Sequence, residues 1–181
     1  MTENDVTTYT TLGSGTTARA VDIAAGASLP TLTVGLGASI TATTNGSTSN
    51  ANAIRDQSNT LTSIVNHGNI QATLTATDDN GDDETETVTG TAIAIDTRGN
   101  TAGLTLSQVD TEADDDDYSP PSIYGQILLG SGDDSISSSG GYIYSAIDYG
   151  AGTGTLTLSD DCYYLGRMTS SGDVAIDVGC V

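Results

Sequence analysis

The chain has 181 residues, of which 24 are Asp or Glu and only four are Lys or Arg, so its formal net charge is −20. Such a charge without a basic patch argues against nucleic acid and anionic membrane surfaces as partners. The chain contains no Trp and no Phe, and only 36% of its residues are hydrophobic. One domain is expected, with a thin core of Ile, Leu, Val and Ala.

The first stretch, residues 1–17, is polar and unpatterned, and we expect an irregular segment or a first coil there. It lacks the basic segment and apolar run of a signal peptide. No stretch of about 18 consecutive apolar residues occurs, so no membrane-spanning helix is expected. An exported form of this chain would therefore be a mature or excised piece.

From residue 18 onward, short stretches alternate between hydrophobic and polar residues, as at 31–34, 71–76 and 155–158. An alternation with a period of two predicts short strands, and Gly, Asn or Asp separates them as turns. Hydrophobic patterns with the period of a helix are almost absent. The fold is therefore predicted to be all-β.

The second half of the chain repeats itself with a period of about 20 residues. The matching positions include Ile123 with Ile143, Tyr124 with Tyr144, Ile127 with Ile147, Gly130 with Gly150, and Ile136 with Leu156. Upstream, residues 53–60 resemble residues 94–101, an offset that corresponds to two such periods. Stacked repeats of this kind align inward aliphatic side chains into ladders.

We therefore predict a single parallel β-helix or solenoid over residues 18–181, with seven or eight coils of roughly 20 residues. A Greek-key sandwich, the alternative, gives no reason for such a regular register. Two acidic stretches, at about 78–86 and 110–121, hold half of the carboxylates. Runs of like charge repel one another, so these stretches are predicted to project as solvated loops.

Two places are weak candidates for a Ca²⁺ site. Asp78, Asn80 and Asp82 alternate like the ligands of a calcium loop, but that loop lacks the required Gly at its sixth position and Glu at its twelfth. Asp133 and Asp134 lie in GSGDDSIS, which is similar to a calcium-binding nonapeptide, but the next repeat does not supply a matching acid. A glycine-rich corner with solvated acids is the preferred interpretation, and neither a metal nor another cofactor is predicted.

Catalysis is not predicted either. Nucleophilic catalysis would need His67, the only histidine, as its base, and this residue lies in a polar turn sequence. Glycoside hydrolysis needs two acids that face each other. Asp133/Asp134 and Asp160/Asp161 are sequence neighbours and would point to opposite faces of a strand.

Two cysteines lie close to one repeat apart. The separation of Cys162 and Cys180 is slightly shorter than one period, so stacked coils would place their Cα atoms within disulfide range. We predict a disulfide between them, which favours an oxidising compartment.

Three segments, 92–96 (AIAID), 121–134 (PSIYGQILLGSGDD) and 147–158 (IDYGAGTGTLTL), resemble bacterial autotransporter (type V secretion) passenger domains. The resemblance covers roughly residues 18–181 and consists of a strand, Gly-x-Gly, an acidic or small pair, and another strand. It implies a right-handed parallel β-helix that a C-terminal barrel secretes through the outer membrane. The two cysteines depart from the pattern, because such passengers usually avoid disulfides.

The expected function is that of a non-catalytic, exported β-helical segment at the bacterial cell surface, acting as a stalk or adhesive module. The alternative is a subunit that stacks end to end in an extracellular filament, because an uncapped solenoid leaves unpaired N–H and C=O groups at its ends. A calcium-binding or enzymatic module ranks third. The expected partners are neighbouring passenger segments, other copies of the chain, and a host or cell-surface ligand.

Overall fold

A computed structural model of the chain describes residues 7–12, 15–76, 87–111 and 119–179. Within these residues the structure contains 16 strands and no helix, which confirms the predicted all-β class. The described part of the chain accordingly holds no helix with the length and hydropathy of a membrane span.

The first eight strands are β1 (Thr7–Leu12), β2 (Thr17–Ile23), β3 (Thr31–Val34), β4 (Ser39–Asn45), β5 (Asn50–Asp56), β6 (Ser63–Asn66), β7 (Asn69–Thr75) and β8 (Ala92–Asp96). The remaining strands are β9 (Thr105–Val109), β10 (Ser122–Tyr124), β11 (Gln126–Leu128), β12 (Asp134–Tyr144), β13 (Ile147–Asp148), β14 (Gly154–Leu165), β15 (Met168–Thr169) and β16 (Val174–Gly179). All the pairings between them are parallel, and they form one sheet of ten strands and one of six.

The pairing sorts the strands into three faces. Face 1 contains β1, β4, β7, β10 and the second halves of β12 and β14. Face 2 contains β2, β5, β8, β11, β13 and β15, and face 3 contains β3, β6, β9, the first halves of β12 and β14, and β16. Because β12 and β14 each run from face 3 into face 1, the ten-stranded sheet is strongly curled. The fold is parallel and solenoid-like.

The spacing between paired residues changes along the chain. Ile123 pairs with Ile143, one predicted period further on, whereas Thr31 pairs with Ser63, well over one period away. The prediction that residues 53–60 and 94–101 lie two periods apart is wrong, because Ile54 pairs directly with Ile95. That single pass includes the acidic segment 77–86, which lengthens it.

Six strands of face 2 mark six passes of the chain through the described residues, so the predicted seven or eight coils are too many. Strand β1 pairs with β4, so part of the polar segment 1–17 belongs to the first pass. The predicted acidic loop at 78–86 lies wholly outside the described residues, and the loop at 110–121 lies largely outside them.

The core consists of aliphatic rows that run from strand to strand. Face 1 contributes Ile40, Ile70, Ile123 and Ile143; face 2 contributes Ile54, Ile95, Ile127 and Ile147; face 3 contributes Ile64, Leu106, Ile136 and Leu156. All of these side chains are buried. Neighbours in a row lie about 4.8 Å apart, and burying each side chain contributes roughly 1.5–3 kcal/mol.

Candidate ligand-binding surface

Four of the eight tyrosines form one cluster on the outside of face 1: Tyr124, Tyr142, Tyr144 and Tyr163. The ring centroids of Tyr124 and Tyr144 are 5.0 Å apart, and their planes are inclined by 15°. Tyr142 stacks on Tyr144 at 5.8 Å and 13°. Tyr163 lies tilted against both, with its centroid 5.7 Å from that of Tyr144 and 6.4 Å from that of Tyr142. The four rings therefore form one continuous aromatic surface.

Strand register explains why these rings meet. Tyr124 pairs with Tyr144, and Tyr142 pairs with Tyr163, so each pair lies one strand spacing apart, close to the distance at which aromatic rings stack. Tyr124, Tyr142 and Tyr163 nevertheless keep 36%, 40% and 49% of their surface exposed. Partial burial and the neighbouring phenols raise the pKa of Tyr144 above its ordinary value, so this ring is neutral at physiological pH.

A network of uncharged polar side chains continues the outer surface of face 1 toward earlier strands. Ser122 Oγ donates to Asn69 Oδ1 at 3.0 Å, and Asn69 Nδ2 donates to Ser39 Oγ at 3.2 Å and to Gln71 Oε1 at 3.3 Å. Gln71 Nε2 in turn donates to Thr73 Oγ1 at 2.9 Å. These bonds hold the amide groups in fixed orientations on a strand surface that faces solvent.

A shallow groove of about 310 Å³ lies where this polar network meets the tyrosines. Its lining includes Ser39, Asn69, Gln71, Ser122 and Tyr124, and none of the described residues that line it is charged. Tyr144 covers the ring of Tyr124 from the following strand, whereas the groove lies on the side of the preceding strand, toward Gln71. The groove thus combines an aromatic wall with amide and hydroxyl groups.

A row of buried amides supports the corner beneath the groove. Asn66 Nδ2 donates to Gln108 Oε1 at 3.1 Å and to the carbonyl oxygen of Ser122 at 3.4 Å, and Asn66 Oδ1 accepts from the Gly68 N–H at 3.1 Å. Gln108 Nε2 donates onward to Ser138 Oγ at 3.3 Å. Satisfied buried polar networks make a structure rigid, so this row fixes the backbone from which the groove is built.

Face 2 is charged, in contrast to the uncharged groove on face 1. All four arginines lie on or beside it: Arg19 in β2, Arg55 in β5, Arg98 after β8 and Arg167 before β15. Asp22, Arg55 and Asp96 stand in one row of alternating charge. Burial favours a higher pKa for Asp96, but hydrogen bonds from Arg98 and the charges of Arg98 and Arg55 lower it below its ordinary value. Arg19, Arg55 and Arg98 thus compensate nearby carboxylates on face 2, and each cross-strand pair of opposite charge contributes roughly 0.2–1 kcal/mol.

Of the two weak Ca²⁺ candidates, only the pair Asp133 and Asp134 lies among the described residues. Asp78, Asn80 and Asp82 lie outside the described residues. Asp133 is exposed, and its Oδ1 accepts from the N–H of Thr153 at 3.1 Å and from the Thr153 hydroxyl at 2.7 Å, which lowers the pKa of Asp133. Among the described residues, no three His, Cys, Asp or Glu side chains are placed to hold a metal ion.

Asp134 points inward instead, although it follows Asp133 directly. It is 3% exposed, and its Oδ1 accepts from the Leu104 N–H at 2.7 Å. Its Oδ2 is buried without a hydrogen-bond partner among the described residues. Burial therefore raises the pKa of Asp134 to about 6, against the opposing effect of the Leu104 hydrogen bond.

The Asp134→Asn variant is expected to gain stability over the parent as the pH rises. Between about pH 4 and 6 the folded protein keeps a proton that the unfolded chain has released, so the stability contributed by protonated Asp134 is present below pH 4 and lost above 6. Asn stays neutral throughout. Urea unfolding measures the free energy of unfolding of both proteins at pH 4 and at pH 7. The difference between variant and parent should be about 2–3 kcal/mol more favourable to the variant at pH 7 than at pH 4.

Asp133→Asn is the matched control, and its effect has the opposite sign. The lowered pKa of Asp133 stabilises the fold above the pKa of the unfolded chain, and that stability is lost as the pH falls. The parent should therefore be more stable than this variant, and the difference in stability should be largest at pH 7. A pH-independent difference between Asp134→Asn and the parent would contradict the buried, neutral state assigned to Asp134.

His67 follows β6, whereas the acidic pair at 160–161 lies in β14. His67 lies just after β6, with its Nδ1 3.1 Å from the carbonyl oxygen of Val109. Asp160 and Asp161 are exposed in β14, close to the register irregularity where the chain passes from face 3 to face 1. No catalytic role is assigned to any of these residues.

The predicted disulfide stays a prediction, because Cys180 lies outside the described residues. Cys162 lies in β14, opposite Gly141 of β12, and is partly buried against the core. If the bridge forms, a thiol titration of the denatured, unreduced protein will find no free thiol, and the closed loop will contribute roughly 3 kcal/mol. Finding two free thiols in that titration would show the prediction to be wrong.

No family model, curated protein or solved structure matches this chain. The fold and the surface therefore define the class of the protein: a parallel, solenoid-like all-β chain with an uncharged aromatic face and an ion-paired face. The tyrosine cluster was not predicted from the sequence as a site. The signal for it was the recurrence of Tyr124 at Tyr144 in the next repeat.

Proposed function

We propose that this chain is a non-catalytic, exported β-helical segment of the autotransporter-passenger type, acting as a stalk or adhesive module at the bacterial cell surface. The observation that carries the proposal is the exposed tyrosine surface on a parallel, solenoid-like scaffold. The finer architecture belongs to the same proposal: a β-helix with coils of roughly 20 residues, into which the acidic loops at about 78–86 and 110–121 are inserted.

The scaffold suits a stalk because each pass of a solenoid packs mainly on its neighbours and holds outward side chains at a regular spacing. The surface suits adhesion because aromatic side chains bury large areas on contact with a ligand. A net charge of −20 favours solubility and repels anionic surfaces.

Bead adhesion tests the adhesive role. Latex beads coated with the purified chain should adhere to epithelial cell monolayers or to bacterial cells at least about tenfold better than albumin-coated beads, because many copies on one bead bind together. A variant with Tyr124, Tyr142 and Tyr163 replaced by Ala should lose this adhesion. Beads carrying the parent chain that adhere no better than albumin beads to any of these surfaces would contradict the adhesive role.

Self-stacking is the second candidate function, and it is supported by uncovered inward side chains on β16. Ile176 and Val178 pair with the buried Leu156 and Leu158, but they are 55% and 61% exposed. Another copy of the chain would cover them and pair with the edges of β14, β15 and β16.

Light scattering over a concentration series tests this candidate. Self-stacking predicts rods that lengthen with concentration, and Ile176→Asp should prevent their growth. The outward Asp177→Ser change on the same strand is the control and should leave growth intact. A constant monomer mass would contradict self-stacking.

A further inference from the structure

We infer that the tyrosine surface of face 1, together with the groove beside Tyr124, binds an uncharged polysaccharide. This inference rests on the adhesive role proposed above and names the class of ligand.

The wall of the groove has the chemistry that packs against a sugar ring. A pyranose ring has an apolar face of C–H groups that packs against an aromatic ring, while its hydroxyl groups point outward around its edge. Tyr124 supplies the aromatic wall, since Tyr144 covers only its other side. Asn69, Gln71 and Ser122 supply amide and hydroxyl groups, which both donate and accept hydrogen bonds, as sugar hydroxyls do.

No described residue that lines the groove is charged, although 15% of the chain is Asp, Glu, Lys or Arg. The chain has no lysine and its four arginines are placed on or beside face 2, so no arginine or lysine is available on this surface to bind a sulfated or uronic-acid polymer. The net charge of −20 also repels anionic polymers. The described lining of the groove therefore offers hydrogen bonds rather than ion pairs to a ligand.

The polar and aromatic side chains from Ser39 to Tyr163 occupy five successive strands of face 1, which cover about 19 Å at about 4.8 Å per strand. That distance accommodates several sugar units of a polymer, each close to a strand spacing in size. A polymer can therefore contact the groove and the exposed rings of Tyr142 and Tyr163 at once, which compensates for a shallow site.

The polar side chains of the groove are already held in place by hydrogen bonds. Asn69 is held by Ser39, Gln71 and Ser122, and the backbone beneath it is held by the buried Asn66 and Gln108. Side chains that are already ordered lose little conformational entropy when a ligand binds. The groove is therefore shaped before the ligand arrives.

Affinity electrophoresis in native gels tests the inference with the whole chain. The gels contain dextran, galactomannan, hydroxyethyl cellulose or a soluble β-glucan as uncharged probes, heparin as the anionic probe and glycol chitosan as the cationic probe. At least one uncharged polymer should retard the chain, and heparin should not. Tyr124→Ala should weaken that retardation about tenfold, which is the size of a lost aromatic contact.

Two control variants separate the site from the fold. Tyr124→Phe keeps the ring and should bind like the parent, whereas the exposed Thr157→Ala on face 3 should change nothing. Melting curves verify that each variant is folded; if Tyr124→Ala is unfolded, Tyr163→Ala at the far end of the cluster replaces it, with a smaller expected loss.

Three results would overturn the inference: no retardation by any uncharged polymer, retardation only by glycol chitosan, or equal binding by the folded Tyr→Ala variant. Its failure is distinguishable from that of the adhesive role. If coated beads adhere to cells while the gels show no shift with uncharged polymers, the ligand class is wrong and the adhesive role stands. If the beads do not adhere, the adhesive role itself fails.

Discussion

Replacing Ile127 by Asp is expected to unfold the chain under conditions where the parent is folded. Ile127 is completely buried, in a row with Ile95 and Ile147. An Asp there would bury an unpaired carboxylate in an aliphatic environment, which costs several kcal/mol. Because small proteins are stable by only about 5–15 kcal/mol, the loss should be visible as a large drop in melting temperature by circular dichroism.

Thr155→Asp is the matched control, because Thr155 is exposed and points outward from β14. It should change the free energy of unfolding by no more than about 0.5 kcal/mol. Ile147→Asp should behave like Ile127→Asp, whereas deletion of residues 114–117 should be neutral or mildly stabilising because it reduces self-repulsion. Similar losses from Ile127→Asp and Thr155→Asp would show that the inward assignment of Ile127 is wrong.

Gly152→Ala is expected to produce the second large loss, about 2–3 kcal/mol, from a single added methyl group. A Cβ at Gly152 would overlap the carbonyl oxygen of Gly132, and one at Gly172 would in turn overlap that of Gly152. The obstacle is the backbone of the neighbouring turn, which cannot move aside without disturbing the strands on both sides. Urea denaturation of the parent and the variant measures the difference.

Gly26→Ala separates this close approach from simple backbone strain. Gly26 has a φ of +83°, but a Cβ there would have no heavy atom within 4 Å. Its replacement should therefore cost only the strain of the left-handed conformation, about 1–2 kcal/mol. If Gly26→Ala destabilises the chain as much as Gly152→Ala, the turns are not stacked as closely as the structure shows.

The class of the fold and part of the strand pairing can be predicted from the sequence alone. Alternating hydrophobic and polar residues mark strands because side chains on a strand point to opposite sides in turn. Where no insertion separates the repeats, counting residues is enough: Ile123 was aligned with Ile143 and Ile127 with Ile147, and both pairs are strand partners in the structure. The glycine corner at 130–132 and 150–152 followed from the same alignment.

The strand pairing in the first half of the chain, and the grouping of side chains on one face, could not be predicted from the sequence pattern. Ile54 meets Ile95 in one pass rather than two, because the segment between them contains extra residues that no periodicity reveals. Because the spacing varies in this way, the sequence did not predict that the arginines lie together on face 2. Nor did it predict the polar groove that β4 and β7 form beside Tyr124. Alternation along a strand is a local property, whereas the face to which a strand belongs depends on the length and path of every connection before it.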